Sequence, residues 1–248
     1  MTGIIVAAVQ SDSIRGDIEY NVKHHLKLAT IAADTGADVI IFPELSLIGY
    51  EIDIASMHAH KPTDKILSRF QKLADNRSVH ILVGAPYRSK AGLHIAAFYY
   101  SPGNSPQVYT KHFVHDDEKP YFESGTIDVT IKVKGEVISP AICYDVSNPE
   151  HAEQAARKGS TIYAAGVMTT PQGYPAKESY MEQYAEKYHM VTVLANYAGS
   201  TSEGPTAGRS AVWDTNGRLL AVAPESGEAI VLYIKNETNS CGKVLEIE

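Results

Sequence analysis

Val137-Ile138-Ser139-Pro140-Ala141-Ile142-Cys143-Tyr144-Asp145 is an apolar run that closes on a thiol, and Asn148-Pro149-Glu150 after it opens a helix. A cysteine where a buried strand hands over to a helix is where a nucleophile would be presented to a substrate. Taken alone, such a cysteine is more often a small buried hydrophobe. Two further residues occupy comparable positions: Glu44 after Val39-Ile40-Ile41-Phe42-Pro43, and Lys111 after Val108-Tyr109-Thr110. Singly, Glu44 fits a loop cap as well as a catalyst, and Lys111 reads as a solvated charge. The three together read as a site.

Outward from this stretch, strand and helix patterns alternate, which predicts layered α/β packing with helices covering sheet faces. Strands are expected over residues 4–9, 38–42 and 79–83. A helix over 21–33 places Val22, His25, Leu26, Ala29 and Ala33 at spacings of three and four. A second starts near Pro62-Thr63-Asp64 and carries Ile66, Leu67, Phe70, Leu73 and Ala74 on one face. From 93 to 133 the pattern turns antiparallel, with strands over 93–100, 107–110 and 127–133. Alternation resumes with helices over 149–158 and 176–189 and strands over 160–165 and 191–195. Asn216-Gly217 marks a hairpin between 210–214 and 218–223. A last strand over 229–234 leads into a polar tail from about residue 235. With no repeat, low-complexity segment or linker, residues 1–248 are expected to form a single domain.

The chain has 248 residues, 44% hydrophobic and 21% charged, and a net charge of -7. That balance offers no basic surface for nucleic acid. The apolar N-terminus lacks a positive n-region and stops at Gln10-Ser11-Asp12, so it reads as a strand and not a signal peptide. No apolar run reaches the roughly 18 residues a membrane helix needs. With two cysteines in unrelated contexts, a cytoplasmic location and free thiols are expected, and Cys241 reads as an exposed spectator.

Attack on a carbonyl needs a nucleophile, a group to take its proton and a group to hold the oxyanion. Cys143, Glu44 and Lys111 can supply these in that order. The helix expected after Cys143 adds unpaired N–H groups at its start, which makes the Tyr144 N–H a natural oxyanion donor.

Phe42-Pro43-Glu44, Tyr109-Thr110-Lys111-His112-Phe113 and Ile142-Cys143-Tyr144-Asp145 with Pro149-Glu150 resemble, in order, three signature blocks of the nitrilase superfamily of carbon-nitrogen hydrolases. The resemblance continues through Asp117-Glu118-Lys119-Pro120-Tyr121-Phe122 with Gly125, Leu194-Ala195-Asn196 and Gly208-Arg209-Ser210. It implies an α-β-β-α sandwich of two mixed sheets, dimers formed through the helical layers, and no metal or organic cofactor. It further implies Glu44 as general base, Lys111 as oxyanion holder, Cys143 as nucleophile and Glu118 as an additional glutamate beside them. The substrate implied is a small linear amide or N-carbamoyl compound. Nitrile hydrolysis, acyl transfer and a silent scaffold are the alternatives.

Nitrile-cleaving members commonly carry tryptophan then glutamate after the nucleophile, whereas Tyr144-Asp145 resembles amidase-type branches. Asn148 stands where the family often has an aromatic, and reads as a helix N-cap before a proline. Tyr50, Tyr121 and Met168 fit the pocket wall, and each fits core or rim packing equally. His58-Ala59-His60 and His112 with His115 lack the cysteines or carboxylates that would complete a metal site. His112, beside Lys111, is expected to support the site or the core.

Overall fold

The computed structural model describes residues 3–247. In chain order the strands of the first half are β1 (Ile4–Gln10), β2 (Val39–Ile41), β3 (His80–Arg88), β4 (Leu93–Tyr100), β5 (Gln107–Thr110), β6 (Ile131–Val133) and β7 (Glu136–Ile142). Those of the second half are β8 (Ile162–Gly166), β9 (Val191–Ala195), β10 (Ser200–Thr201), β11 (Gly204–Pro205), β12 (Ala211–Trp213), β13 (Leu219–Val222), β14 (Ala229–Lys235) and β15 (Ser240–Glu246). The helices are α1 (Ile18–Asp34), α2 (Ser68–Arg77), α3 (Pro149–Arg157) and α4 (Tyr174–Tyr188).

Two mixed sheets carry the fold. The first has the order β15-β14-β1-β2-β3-β4-β5, the second β13-β12-β9-β8-β7-β6, and β10-β11 is a separate hairpin. Alternation along the strands explains the layering. Val6 and Ala8 of β1, Ile41 of β2, Ile138 and Ile142 of β7 and Val193 of β9 share one buried cluster, so the inner faces of the sheets pack on each other. Ala7 and Val9 face the other way, onto Val22, Leu28 and Ala29 of α1 and Phe70 of α2. On the second sheet Tyr163, Ala165 and Leu194 pack outward on Ala152 of α3 and Met181 of α4. The layers are therefore α-β-β-α. No helix among the described residues is long and apolar enough to cross a membrane.

Several boundaries differ from the sequence reading. α1 starts at Ile18 because the Asp17 side chain accepts from the Tyr20 N–H and caps it. α4 opens at Tyr174 with Pro175 in its first turn, and β6 keeps only Ile131–Val133 of the strand expected from 127. At Asn216-Gly217 the connection is longer than two residues. The Asp214 carboxylate accepts from the Asn216 and Arg218 N–H groups, and Gly217 supplies the left-handed position at φ +76. The expected polar tail is also corrected, because β15 pairs along all of β14, Ala229↔Glu246 through Lys235↔Ser240. Every polar side chain of β15 can face solvent at the sheet edge while Val244 packs inward.

β1, β2 and β3 run parallel, as do β7, β8 and β9. Their carboxyl ends bring residues 42–44 of the first sheet against the second. Gly166 on β8 makes that approach possible, and Gly84 on β3 makes room for the same segment within the first sheet. A Cβ on Gly84 would lie 2.2 Å from the Pro43 carbonyl oxygen, and one on Gly166 2.5 Å from that of Phe42.

Candidate active site

Glu44, Lys111 and Glu118 meet in the interior, with side chains 0%, 0% and 1% exposed. The Lys111 Nζ donates to Glu44 Oε1 at 2.7 Å and to both Glu118 oxygens at 2.7 Å. A buried ammonium between two carboxylates is satisfied in all three of its donors. Glu118 is held in turn by the His115 N–H at 2.9 Å and the Tyr50 hydroxyl at 3.0 Å. Glu44 is anchored at its backbone by the Tyr197 hydroxyl, 2.9 Å from its carbonyl, and its Oε2 takes the Met168 N–H at 3.4 Å.

Cys143 is only partly buried, at left-handed φ +40, and its thiol donates to the Met168 carbonyl at 3.3 Å. A non-glycine residue with such a φ marks a backbone held by its surroundings. The chain after it makes a single 3-10 turn, Cys143–Asp145, and α3 begins only at Pro149. The helix expected over 149–158 is where the sequence reading put it, and the Tyr144 N–H belongs to the 3-10 turn ahead of it and not to α3 itself. Asn148 occupies the position before α3 but does not cap it; its side chain turns back to the Tyr144 carbonyl. Cys143 and Cys241 are both free, the latter exposed on β15.

A cavity of about 360 Å³ opens over the cluster, lined by Tyr50, Lys111, Glu118, Cys143, Tyr144 and Met168 among others. Tyr121 does not line it and is 46% exposed, so it belongs to the surface. Among the described residues no group of three His, Cys, Asp or Glu side chains is placed to hold a metal ion.

Electrostatics set the protons. Burial pushes the Glu44 carboxyl up to about 7, helped by Glu118 and opposed by Lys111. Burial pushes the Cys143 thiol up to about 12, and the Glu44 charge adds to it against Lys177 and Lys111. Burial alone would lower the Lys111 ammonium, but Glu44, Cys143 and Glu118 outweigh it and hold the pKa above its ordinary value. At neutral pH Cys143 is therefore a thiol, beside a carboxylate poised to take or return a proton.

Sequence reasoning missed two residues. Asp145, taken as a marker of substrate class, faces away from the cavity and ties two strand ends together. Its carboxylate accepts from the His112 and Phe113 N–H groups at 3.0 and 2.9 Å, from the Ile142 N–H at 2.9 Å and from the Tyr109 hydroxyl at 2.7 Å. The segment after Lys111 and the residue before Cys143 thus share one anchor. Tyr109 has one proton and spends it on Asp145, so His151 must donate Nε2–H to Tyr109 at 2.8 Å and accept the Tyr163 hydroxyl at Nδ1. Burial lowers the His151 pKa, in keeping with that neutral ring. His112 packs against this network, 5.3 Å from the His151 ring, and supports the site without entering the cavity. The second missed residue, Lys177 of α4, donates to the Cys143 carbonyl at 2.8 Å and to the Ser147 hydroxyl at 2.6 Å.

Comparison with known proteins places this geometry. The carbon-nitrogen hydrolase family model matches residues 5–241. A glutamine-dependent NAD(+) synthetase of Aquifex aeolicus is 29% identical over 225 residues, covering 87% of this chain and 39% of the synthetase. The chain thus spans about two fifths of such relatives. An (R)-stereoselective amidase of Pseudomonas sp. is 26% identical over 220 residues, covering 87% of this chain and 79% of the amidase. Among solved structures, a mutant of the amidase from Nesterenkonia sp. AN1 in complex with butyramide superposes with TM-score 0.85 at 20% identity, covering 94% of this chain and 91% of that one. In another mutant of that amidase the acetamide moiety of fluoroacetamide is added at the active-site cysteine.

Proposed function

The chain belongs to the carbon-nitrogen hydrolase family, and from that premise we propose that it hydrolyses a small linear amide or N-carbamoyl compound through a thioester on Cys143. The observation that carries the reading is the Lys111 ammonium clasped between Glu44 and Glu118 on the wall of the cavity that exposes Cys143. The covalent addition at the cysteine of the Nesterenkonia amidase supports the same chemistry.

The proposed cycle follows from the proton positions. Glu44 takes the Sγ proton as sulfur attacks the amide carbon, so negative charge passes from carboxylate to sulfur and on to the carbonyl oxygen. The carboxylate charge that opposed thiolate formation vanishes in the same step, while the Lys111 charge stays. Lys111 and the Tyr144 N–H, at the start of the 3-10 turn, hold the oxyanion. Collapse breaks the C–N bond, and the proton on Glu44 leaves with the ammonia or amine. Water then gives a proton to Glu44 and attacks the thioester, the C–S bond breaks, and the proton returns to sulfur as the acid departs. A carboxyl near pKa 7 suits alternating base and acid work.

The preference for amide over nitrile chemistry rests on the resemblance of Tyr144-Asp145 to amidase-type branches. The test is an ammonia-release screen over aliphatic amides, monoamides of diacids, carbamoyl amines and nitriles, with Cys143→Ala as control. Release from amides or carbamoyl compounds that vanishes in the variant supports the reading, and equal release by the variant overturns it.

A further inference from the structure

Other ionisable groups on the cavity wall have partners: Lys111 pairs with Glu118, and the His115 ring meets the Asp117 carboxylate. Glu203 is exposed at the rim. Lys177 differs from all of these: it lines the cavity, is 8% exposed, and has no carboxylate within ion-pair distance among the described residues. Its two hydrogen bonds go to neutral oxygens, the Cys143 carbonyl and the Ser147 hydroxyl. An ammonium has three donors, and the third has no acceptor among the described residues.

Burying a cation without a counter-ion is costly. The position makes it costlier, because Lys177 lies in the opening turn of α4, where no acidic residue offsets it and a positive charge opposes the helix dipole. A neutral donor would hold the same two oxygens without that penalty. The Tyr144 ring, with its centroid 5.9 Å from Nζ, offers only weak compensation. Beyond easing the charging of Cys143, the ammonium has no carboxylate partner among the described residues, and it lies on the wall of the cavity that exposes Cys143.

Building on the amide-hydrolase reading above, we propose that Lys177 is a specificity-determining residue that pairs with a carboxylate on the substrate. The substrate class is then an amide or carbamoyl compound bearing an acid group. Nζ bonds to the carbonyl of Cys143 itself, so a carboxylate on a short-chain substrate held at the thiol lies close to the ammonium. In the occupied site a substrate carboxylate pairs with Lys177 as Glu44 and Glu118 pair with Lys111. The Ser147 hydroxyl, already bonded to Nζ, and those of Thr169 and Thr170 on the same wall provide further donors to that carboxylate.

The test compares three substrates on the full chain: the monoamide of a short diacid, the neutral aliphatic amide of equal length, and an N-carbamoyl amino acid. The wild type is expected to favour an acid-bearing substrate by roughly thirtyfold or more in kcat/KM, chiefly through KM. Which acid arm wins tells whether the carboxylate lies on the acyl side or the leaving side. Lys177→Gln, which keeps a neutral donor, should bring the preference to within about threefold, and Lys177→Arg should retain most of it. A wild type without charge preference overturns the proposal. So does a Lys177→Gln variant that slows charged and neutral substrates equally, because that is the mark of a group that only positions Cys143. Failure of the underlying reading looks different: no amide of either charge would be hydrolysed, and no acyl adduct would form on Cys143.

Discussion

Removing the Asp145 carboxylate should cost both stability and rate, and the structure gives the size of each. Four donors converge on this group: three backbone N–H groups from His112, Phe113 and Ile142, and the Tyr109 hydroxyl. All are interior, and Asp145 itself is 0% exposed. Asp145→Ala leaves four donors without partners at about 1 kcal/mol each at the low end, a loss of about 4 kcal/mol. Asp145→Asn keeps one acceptor oxygen and turns an amide N–H₂ toward the remaining donors, for a loss of about 2 kcal/mol. In a chain of this size about 4 kcal/mol lowers Tm by roughly 8–16 °C. The rate should suffer separately, because the anchor fixes the backbone next to both Lys111 and Cys143. A displacement of about 1 Å between them costs roughly a hundredfold in kcat. Urea unfolding followed by fluorescence, with kcat measured below the transition, reads both. The reasoning is refuted if Asp145→Asn unfolds at the wild-type urea concentration and keeps wild-type kcat.

Three further outcomes follow from the same geometry. Glu44 must be ionised to accept the thiol proton, so kcat/KM should fall about tenfold per pH unit below about 7, as a pH–rate profile will read. Linkage adds a stability signature: its folded pKa of about 7 lies above the ordinary 4.5 of a glutamate, so stability is lost as pH rises from 4.5 through about 7, and Glu44→Gln should flatten that slope in thermal melts. Lys111→Met strands two buried carboxylates and should cost about 3–5 kcal/mol in chemical denaturation, much of it recovered when Glu44→Gln and Glu118→Gln are added. Gly84→Ala forces a Cβ to within 2.2 Å of the Pro43 oxygen and 2.5 Å of the Leu45 nitrogen, both backbone. It should cost about 1–3 kcal/mol and misplace Glu44 enough to lower kcat.

The features legible in the sequence are those written locally. Apolar runs ending at Glu44, Lys111 and Cys143 announced three strand ends, and the alternation of strand and helix patterns foretold layered α/β packing. Glu118 was reachable only through resemblance, because Asp116-Asp117-Glu118-Lys119 carries the composition of a solvated turn. Lys177 and Asp145 were not legible for a physical reason. Lys177 stands 34 residues from Cys143, whose carbonyl it touches. Asp145 gains its role from donors that arrive with β5, on the opposite sheet. Asp145 depends on how two sheets dock and Lys177 on how α4 lies against the second sheet, neither of which a run of neighbouring residues encodes. β15 escaped notice because Ser240-Cys241-Gly242-Lys243 is polar; an edge strand needs ladder partners more than an apolar face.

The claim that Cys143 carries the acyl group is open to direct measurement. Rapid acid quench during turnover of an accepted amide, followed by intact-mass spectrometry and peptide mapping, should show the protein heavier by one acyl group, located on Cys143 and absent from Cys143→Ala. Sustained hydrolysis by Cys143→Ala at the wild-type rate, with no adduct on any residue of the wild type, would contradict it.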